Sequence, residues 1–320
     1  MKAFLSFVFC SAVFSVLAAD VSQTAKSMLN DVVPGTITYK AGNSWLYSKN
    51  ELEHLAKGDL AGGKVKAVSA SKKPANADPL PALKSFNDEL AALGIKLIVV
   101  PVPPKLAAVP CNGMITGEAM KYLKPLYQEM RTQGLTVLDI SDEFKDNASI
   151  YYCKTDAHWS PAGIALAVKM LKNEISFHGS TAFTVKSETQ KISGDLAKSL
   201  NANAPEAEDI TLQTVASNII DENSQILLIG DSHTLIFSVG GDMLSKNAGL
   251  AELLACEFNT PIDRIGVRGS AATAVRINLF RKASKNPAWL KNKKYVIYCF
   301  SCREFTEAGS GWAKVPVLKK

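Results

Sequence analysis

From residue 80 onward, short continuous apolar runs alternate with longer stretches in which apolar residues recur at helical spacing. Residues 95–102 (IKLIVVPV) form an unbroken, largely β-branched run, the pattern of a strand covered on both faces. It follows a helical stretch over residues 80–93 that stops at Gly94, a residue that ends helices readily. Residues 120–133 predict a second helix, ended by Gly134 and followed by the apolar run 135–140 (LTVLDI). Ser160-Pro161 opens a third, with serine as N-cap and proline in the first turn, reaching to about residue 176. Further strands are predicted at 226–229 (ILLI), 264–267 (RIGV) and 295–300 (YVIYCF), with helical patterns between them. Strand and helix in alternation imply an α/β fold with a mostly parallel sheet and helices on both faces.

Two segments break this rhythm. Residues 178–224 are polar, carry the acidic patch 204–209 (APEAED), and read as an insertion or long connection. At the start, Lys2 precedes an apolar run over residues 3–19 that ends in small residues, the form of a secretory signal peptide cut after Ala18 or Ala19. Its rival is an uncleaved membrane anchor, for which about 17 apolar residues is short. The rest, residues 20–320, is expected to be one exported, periplasmic domain. Export bears on the cysteines: Cys111, Cys153, Cys256, Cys299 and Cys302 remain, an odd set in which one or two bridges stay open. Cys299 and Cys302 form a C-x-x-C that follows a strand instead of opening a helix, so structural or free thiols are expected there. No second pair stands at zinc spacing. The net charge of +6 is spread along the chain without a dense basic stripe, which argues against a nucleic-acid partner.

Candidate chemistry gathers at two motifs, each placed where an open α/β sheet binds its ligands, beyond the carboxyl ends of strands. The strand 226–229 runs straight into Gly230-Asp231-Ser232, so Ser232 sits on a strand-to-helix turn with helix-start amides nearby to stabilise an oxyanion. A plain N-cap role for Asp231 or Ser232 is the alternative. A serine hydroxyl needs an imidazole to take its proton, and that imidazole needs a carboxylate to hold its tautomer. The second motif, 155–161 (TDAHWSP), offers both from one loop, as Asp156 and His158. Of the other histidines, His54 lies in a charged helical stretch and reads as solvated, His178 follows a helix end, and His233 is set aside because neighbouring side chains at a helix start diverge.

With these residues in place, the chain resembles the SGNH-hydrolase-like acetyltransferases of bacterial polysaccharide assembly, best known from alginate O-acetylation, over roughly residues 45–303. Trp45-Leu46-Tyr47 with Glu51-Leu52 matches the family's opening stretch, Ser44 replacing the usual glycine. Residues 90–104 resemble its first strand and proline-rich exit, 155–163 its Asp-x-His-Trp motif, Gly194-Asp195-Leu196 its Gly-Asp-Leu, and Gly230-Asp231-Ser232 its nucleophile block. Ordinary SGNH hydrolases carry Gly-Asp-Ser near the N-terminus. Here acid and base come first, as in the acetyltransferase branch, which implies a three-layer αβα fold with permuted motif order.

The resemblance implies Ser232 as nucleophile, His158 as general acid/base and Asp156 as its orienting carboxylate, with no metal and no organic cofactor. Arg268 and Gly269, after the strand 264–267, are candidate oxyanion donors, and Arg303 either binds substrate or forms a salt bridge. The implied reaction moves acetyl through an acetyl-serine ester to a hydroxyl of an exported polysaccharide. A membrane-bound O-acyltransferase, within an envelope biosynthesis complex, would supply the acetyl group. Two alternatives stay open: a carbohydrate acetylesterase with the same triad, and a non-catalytic polysaccharide-binding scaffold.

Overall fold

The computed structural model describes residues 20–145, 147–216 and 218–319; the export segment expected over residues 1–19 lies outside them. Among the described residues the strands are β1 (Thr38–Lys40), β2 (Leu46–Ser48), β3 (Lys96–Val102), β4 (Thr136–Val137), β5 (Val185–Ile192), β6 (Glu208–Val215), β7 (Ile226–Gly230), β8 (Asp263–Gly266) and β9 (Tyr295–Ser301). Five of them form one parallel sheet in the order β4-β3-β9-β7-β8, with Val99 opposite Tyr298 and Leu228 opposite Ile297. The side chains of Leu227, Leu228, Ile229, Val99 and Val100 are fully buried, each contributing about 1.5–3 kcal/mol relative to exposure. That two-sided burial is why these segments read as continuous apolar runs.

Helices cover the sheet as expected of a three-layer αβα domain. The helix Leu80–Ala91 sets Phe86 edge-on to Tyr298 of β9, their centroids 6.1 Å apart. The guanidinium of Arg276, from the helix Ala274–Lys285, lies over the same Phe86 ring. The helix Pro161–Leu171, capped by Ser160 Oγ accepting the Gly163 N–H at 3.2 Å, packs on the helix Leu250–Phe258. It stops five residues short of the expected end. The run 135–140 contributes only the two-residue β4 before a 3-10 turn over Ile140–Glu143.

Residues 178–224, read as an insertion or long connection, carry regular structure of their own. They hold β5 and β6, an antiparallel ribbon registered from Val185–Val215 to Ile192–Glu208, with the short helix Asp195–Ser199 between the two strands. Most of β5 is solvent-exposed, so it has no buried face to impose the apolar alternation by which a strand is recognised.

No described helix is long and apolar enough to cross a membrane. All five described cysteines are unbridged. Burial pushes the Cys153, Cys299 and Cys302 thiols well above their usual pKa, so the C-x-x-C pair is held as inert thiol.

Three adjacent strands end toward one edge. β3 runs into Pro103-Pro104-Lys105, β9 into Cys302-Arg303, and β7 into Asp231-Ser232. The chain moves outward from this centre in opposite directions, β3 to β4 and β7 to β8, the topology that opens a crevice at the carboxyl ends.

Candidate active site

Ser232 begins a single 3-10 turn (Ser232–Thr234) directly after β7. Its position is set by the sheet. A Cβ on Gly230 would overlap the carbonyl oxygen of Cys299 on β9, so only glycine permits this close approach. Asp231 then ties the turn to the next strand, its Oδ2 accepting the Ser301 N–H at 2.7 Å and its Oδ1 the His233 N–H at 2.9 Å. The expected run of helix-start amides shrinks to this one turn. The His233 and Thr234 amides are both spent on Asp231, and only the Ser232 N–H lacks a partner among the described residues.

The loop bearing Asp156 and His158 is held quite differently. Lys105, fully buried just past β3, donates from Nζ to the carbonyls of Leu46 (2.7 Å) and Asp156 (2.5 Å). Glu208, at the start of β6, accepts from the Lys154 N–H (2.8 Å), the Thr155 N–H (2.7 Å) and the Thr155 hydroxyl (2.6 Å). Asp195 accepts the Ala157 N–H at 2.8 Å and gives its own N–H to Asp156 Oδ2 at 2.9 Å. Gly194 makes this contact possible, because a Cβ there would overlap Asp156 and the Thr155 carbonyl. The polar ribbon of residues 178–224 is thus a clamp on the loop.

Loop and turn meet through the side chains. Asp156 Oδ1 accepts both the His158 N–H (2.9 Å) and His158 Nδ1–H (2.6 Å), while Ser232 Oγ–H donates to His158 Nε2 at 2.7 Å. Burial would disfavour the charged form of either partner. The attraction between them outweighs it, holding the Asp156 carboxyl below and the His158 imidazole above their ordinary pKa. A hydrogen-bonded serine–imidazole–carboxylate chain of this kind can remove the serine proton as the oxygen attacks and store it as imidazolium.

His158 and Ser232 open on a pocket of about 190 Å³ that Glu51, Asp195, His233 and Arg303 also line, with Asp156 buried behind them. A larger cleft of about 560 Å³, lined in part by Asp78, Lys84 and Glu129, shares no residue with it. Glu51 is buried in the pocket wall, and desolvation pushes its pKa up to about 7 even though Lys105 and Arg303 pull it down. Arg303 has no ion-pair partner within 4.0 Å among the described residues, which leaves its charge to the pocket.

Arg268 and Gly269 are not brought here. Arg268 is exposed and forms a bidentate pair with Asp242 at 2.8 Å, and neither residue lines the pocket. β8 is the edge strand, and the chain leaving it runs along the surface. Ligand atoms of Asp156, His158 and Asp195 lie within 4.8 Å of one another. However, both Asp156 oxygens and both His158 nitrogens are already committed to hydrogen bonds, so a metal there would have to dismantle the chain.

Two histidines depart from their sequence reading. His54 is buried, not solvated. The helix Lys49–Ala56 turns Glu51, Leu52, His54 and Leu55 inward, and His54 Nδ1 sits 2.7 Å from Thr306 Oγ1, with its pKa pushed down to about 3 by burial. His233, expected to diverge from Ser232, instead lies against His158 with ring centroids 4.7 Å apart. Lys105 carried no sequence signal, and Glu208 only its place in the acidic patch 204–209, since each acts through contacts about fifty residues away.

The family model described as SGNH hydrolase-like domain, acetyltransferase AlgX, matches residues 40–289. Among solved structures, the chain is similar to the O-acetyltransferase domain of Pseudomonas putida AlgJ (TM-score 0.62, 15% identity, covering 85% of this chain and 92% of that one). Pseudomonas aeruginosa AlgX gives a TM-score of 0.56 at 19% identity, covering 88% of this chain and 67% of that one. Bacillus cereus PatB1 with a sulfonyl adduct gives 0.52 at 14% identity, covering 86% and 97%. No curated protein matches the sequence. With 250 consecutive positions inside the family match and the same fold in these structures, the chain belongs to the SGNH hydrolase-like AlgX acetyltransferase family.

Proposed function

We propose that this protein is a periplasmic O-acetyltransferase that carries acetyl through Ser232 to a hydroxyl of an exported polysaccharide. The observation that carries the reading is the unbroken chain Ser232 Oγ–His158 Nε2 (2.7 Å) and His158 Nδ1–Asp156 Oδ1 (2.6 Å), opening on a pocket. In the first half-reaction His158 takes the Ser232 proton as Oγ attacks the acetyl carbonyl. The bond to the donor's leaving group breaks, and that group departs with the proton from His158. In the second, His158 takes the proton of an acceptor hydroxyl, whose oxygen attacks the acetyl-serine. The ester bond to Oγ breaks and Ser232 is reprotonated by His158. Asp156 holds the tautomer and stabilises the imidazolium in both halves.

The unengaged Ser232 N–H is a main-chain donor available to the oxyanion, and the Arg303 charge faces the same pocket. No step calls on a metal or organic cofactor. A membrane-bound O-acyltransferase in an envelope complex is the proposed acetyl supplier.

The test incubates the protein with p-nitrophenyl acetate and a panel of oligosaccharides, with Ser232→Ala alongside. Acetylated sugar from wild type and none from the variant is the expected result. Free acetate without acetylated sugar would make the protein an esterase. Neither product, with oligosaccharide still bound by both proteins, would make it a scaffold.

A further inference from the structure

Beside the pocket stands a second carboxylate–imidazole dyad that the reaction above does not use, its imidazole in the pocket lining. His233 Nδ1 lies 3.0 Å from Asp231 Oδ1, and both side chains are almost wholly buried. The ionised Asp231 fixes the proton on Nδ1, which leaves Nε2 as a lone-pair acceptor. Nε2 has no partner among the described residues. It is also not among the polar atoms sealed away from solvent without a partner, and the His233 ring lines the pocket beside His158 and Ser232.

A purely architectural role does not account for this imidazole. Asp231 already accepts the N–H groups of His233 and Ser301, which fixes the turn without any help from the ring. Nε2 instead keeps its access to the pocket, where a ligand donor can reach it. Trp159, edge-on to His233 at 5.8 Å between centroids, packs against the ring and limits its rotation.

The two imidazoles are also separated in charge. Burial, together with the neighbouring His158 and Arg303, holds the His233 pKa below its ordinary value against the pull of Asp231, whereas that of His158 is raised. When His158 becomes imidazolium, its neighbour therefore remains neutral and can still accept a hydrogen bond. One ring nitrogen serves the reacting hydroxyl, and the other is free for a second hydroxyl on the same acceptor.

Resting on the proposed acyl transfer, we infer that His233 is a specificity-determining residue whose Nε2 accepts a hydrogen bond from a hydroxyl adjacent to the one being acetylated. The acceptor class this selects is the vicinal diol of a sugar or polyol, in preference to an isolated alcohol. His233 positions the acceptor and takes no proton from it.

Ethylene glycol and ethanol are similar-sized probes that differ in the second hydroxyl. Wild type, acylated from p-nitrophenyl acetate, is offered both together, and the two acetate esters are quantified against free acetate. The expected preference for the glycol is at least about tenfold, well beyond the factor of about two that follows from counting hydroxyls. His233→Phe removes the acceptor nitrogen and should bring the preference down to about two. His233→Gln, which keeps a side-chain acceptor, should retain an intermediate preference.

A wild-type preference near two would overturn the inference, even if neither variant folds. So would an unchanged preference in His233→Phe protein that still acetylates Ser232. Absence of any acetyl on wild-type Ser232 is a separate outcome, visible by intact mass, and would remove the acyl-transfer reading together with this one.

Discussion

The two halves of the site are built from different materials. Ser232 is fixed by the parallel sheet: β7 pairs with β8 and β9, Gly230 lets β9 come close, and Asp231 bonds across to Ser301. Asp156 and His158 belong to no strand of that sheet. Their loop is held by a buried lysine from beyond β3, a glutamate from β6 and an aspartate from the ribbon's short helix. The proposed nucleophile therefore depends on the stability of the whole fold. The base depends on a few charged side chains, any of which can be altered while the sheet stays intact. Alignment of the proposed base is therefore the more fragile requirement.

Substitutions at the two halves should separate these dependencies. Ser232→Ala or His158→Ala should each lower p-nitrophenyl acetate turnover by on the order of 10⁴–10⁶-fold, with unfolding midpoints near wild type, since residues acting as one unit fail together. Asp156→Asn should cost about 10⁴-fold by presenting the wrong imidazole tautomer.

The two glycines offer the sharpest contrast. Gly230→Ala should destabilise by about 3 kcal/mol or more in urea unfolding, because its Cβ would meet strand backbone. Gly194→Ala should leave stability much closer to wild type but lower turnover about 100-fold by pushing Asp156 aside. Equal loss of stability in both would erase the distinction between sheet-held and clamp-held halves.

Smaller effects test the clamp itself. Lys105→Met should reduce turnover about tenfold and stability by about 1–3 kcal/mol, since the carbonyls of Leu46 and Asp156 lose their donor. The pH profile follows from the sign of the His158 shift. The base works only when neutral and its pKa is raised above 6.5, so acylation should rise with pH through a midpoint above that value. Asp195 adds to the shift. Asp195→Asn, which keeps an acceptor for the Ala157 N–H, should therefore lower the midpoint, by less than about one pH unit.

The same division governs what the sequence reveals. The strands of the central sheet are legible because burial on both faces imposes a continuous apolar run, as at 95–102 and 226–229. Gly-Asp-Ser and Asp-x-His are legible because each is local. The clamp is legible only in part: Gly194-Asp195-Leu196 stands out through the family resemblance, whereas Lys105 and Glu208 are ordinary surface-type residues until the chain brings them to the loop. The exposed β5 offers no periodicity to find, and His233 joins the pocket only through the curvature of a three-residue turn. His54 was masked by its charged neighbours, although Leu52 and Leu55 mark the buried face it shares.

The proposed reaction requires that Ser232, activated through His158 and Asp156, accept an acyl group. Intact-mass analysis of the protein after brief exposure to p-nitrophenyl acetate, followed by peptide mapping, tests it most directly. A single added acetyl group located on Ser232 is expected in wild type, absent from Ser232→Ala and strongly slowed in Asp156→Asn. An unmodified wild-type protein, or an acetyl group that persists in Ser232→Ala, would contradict it.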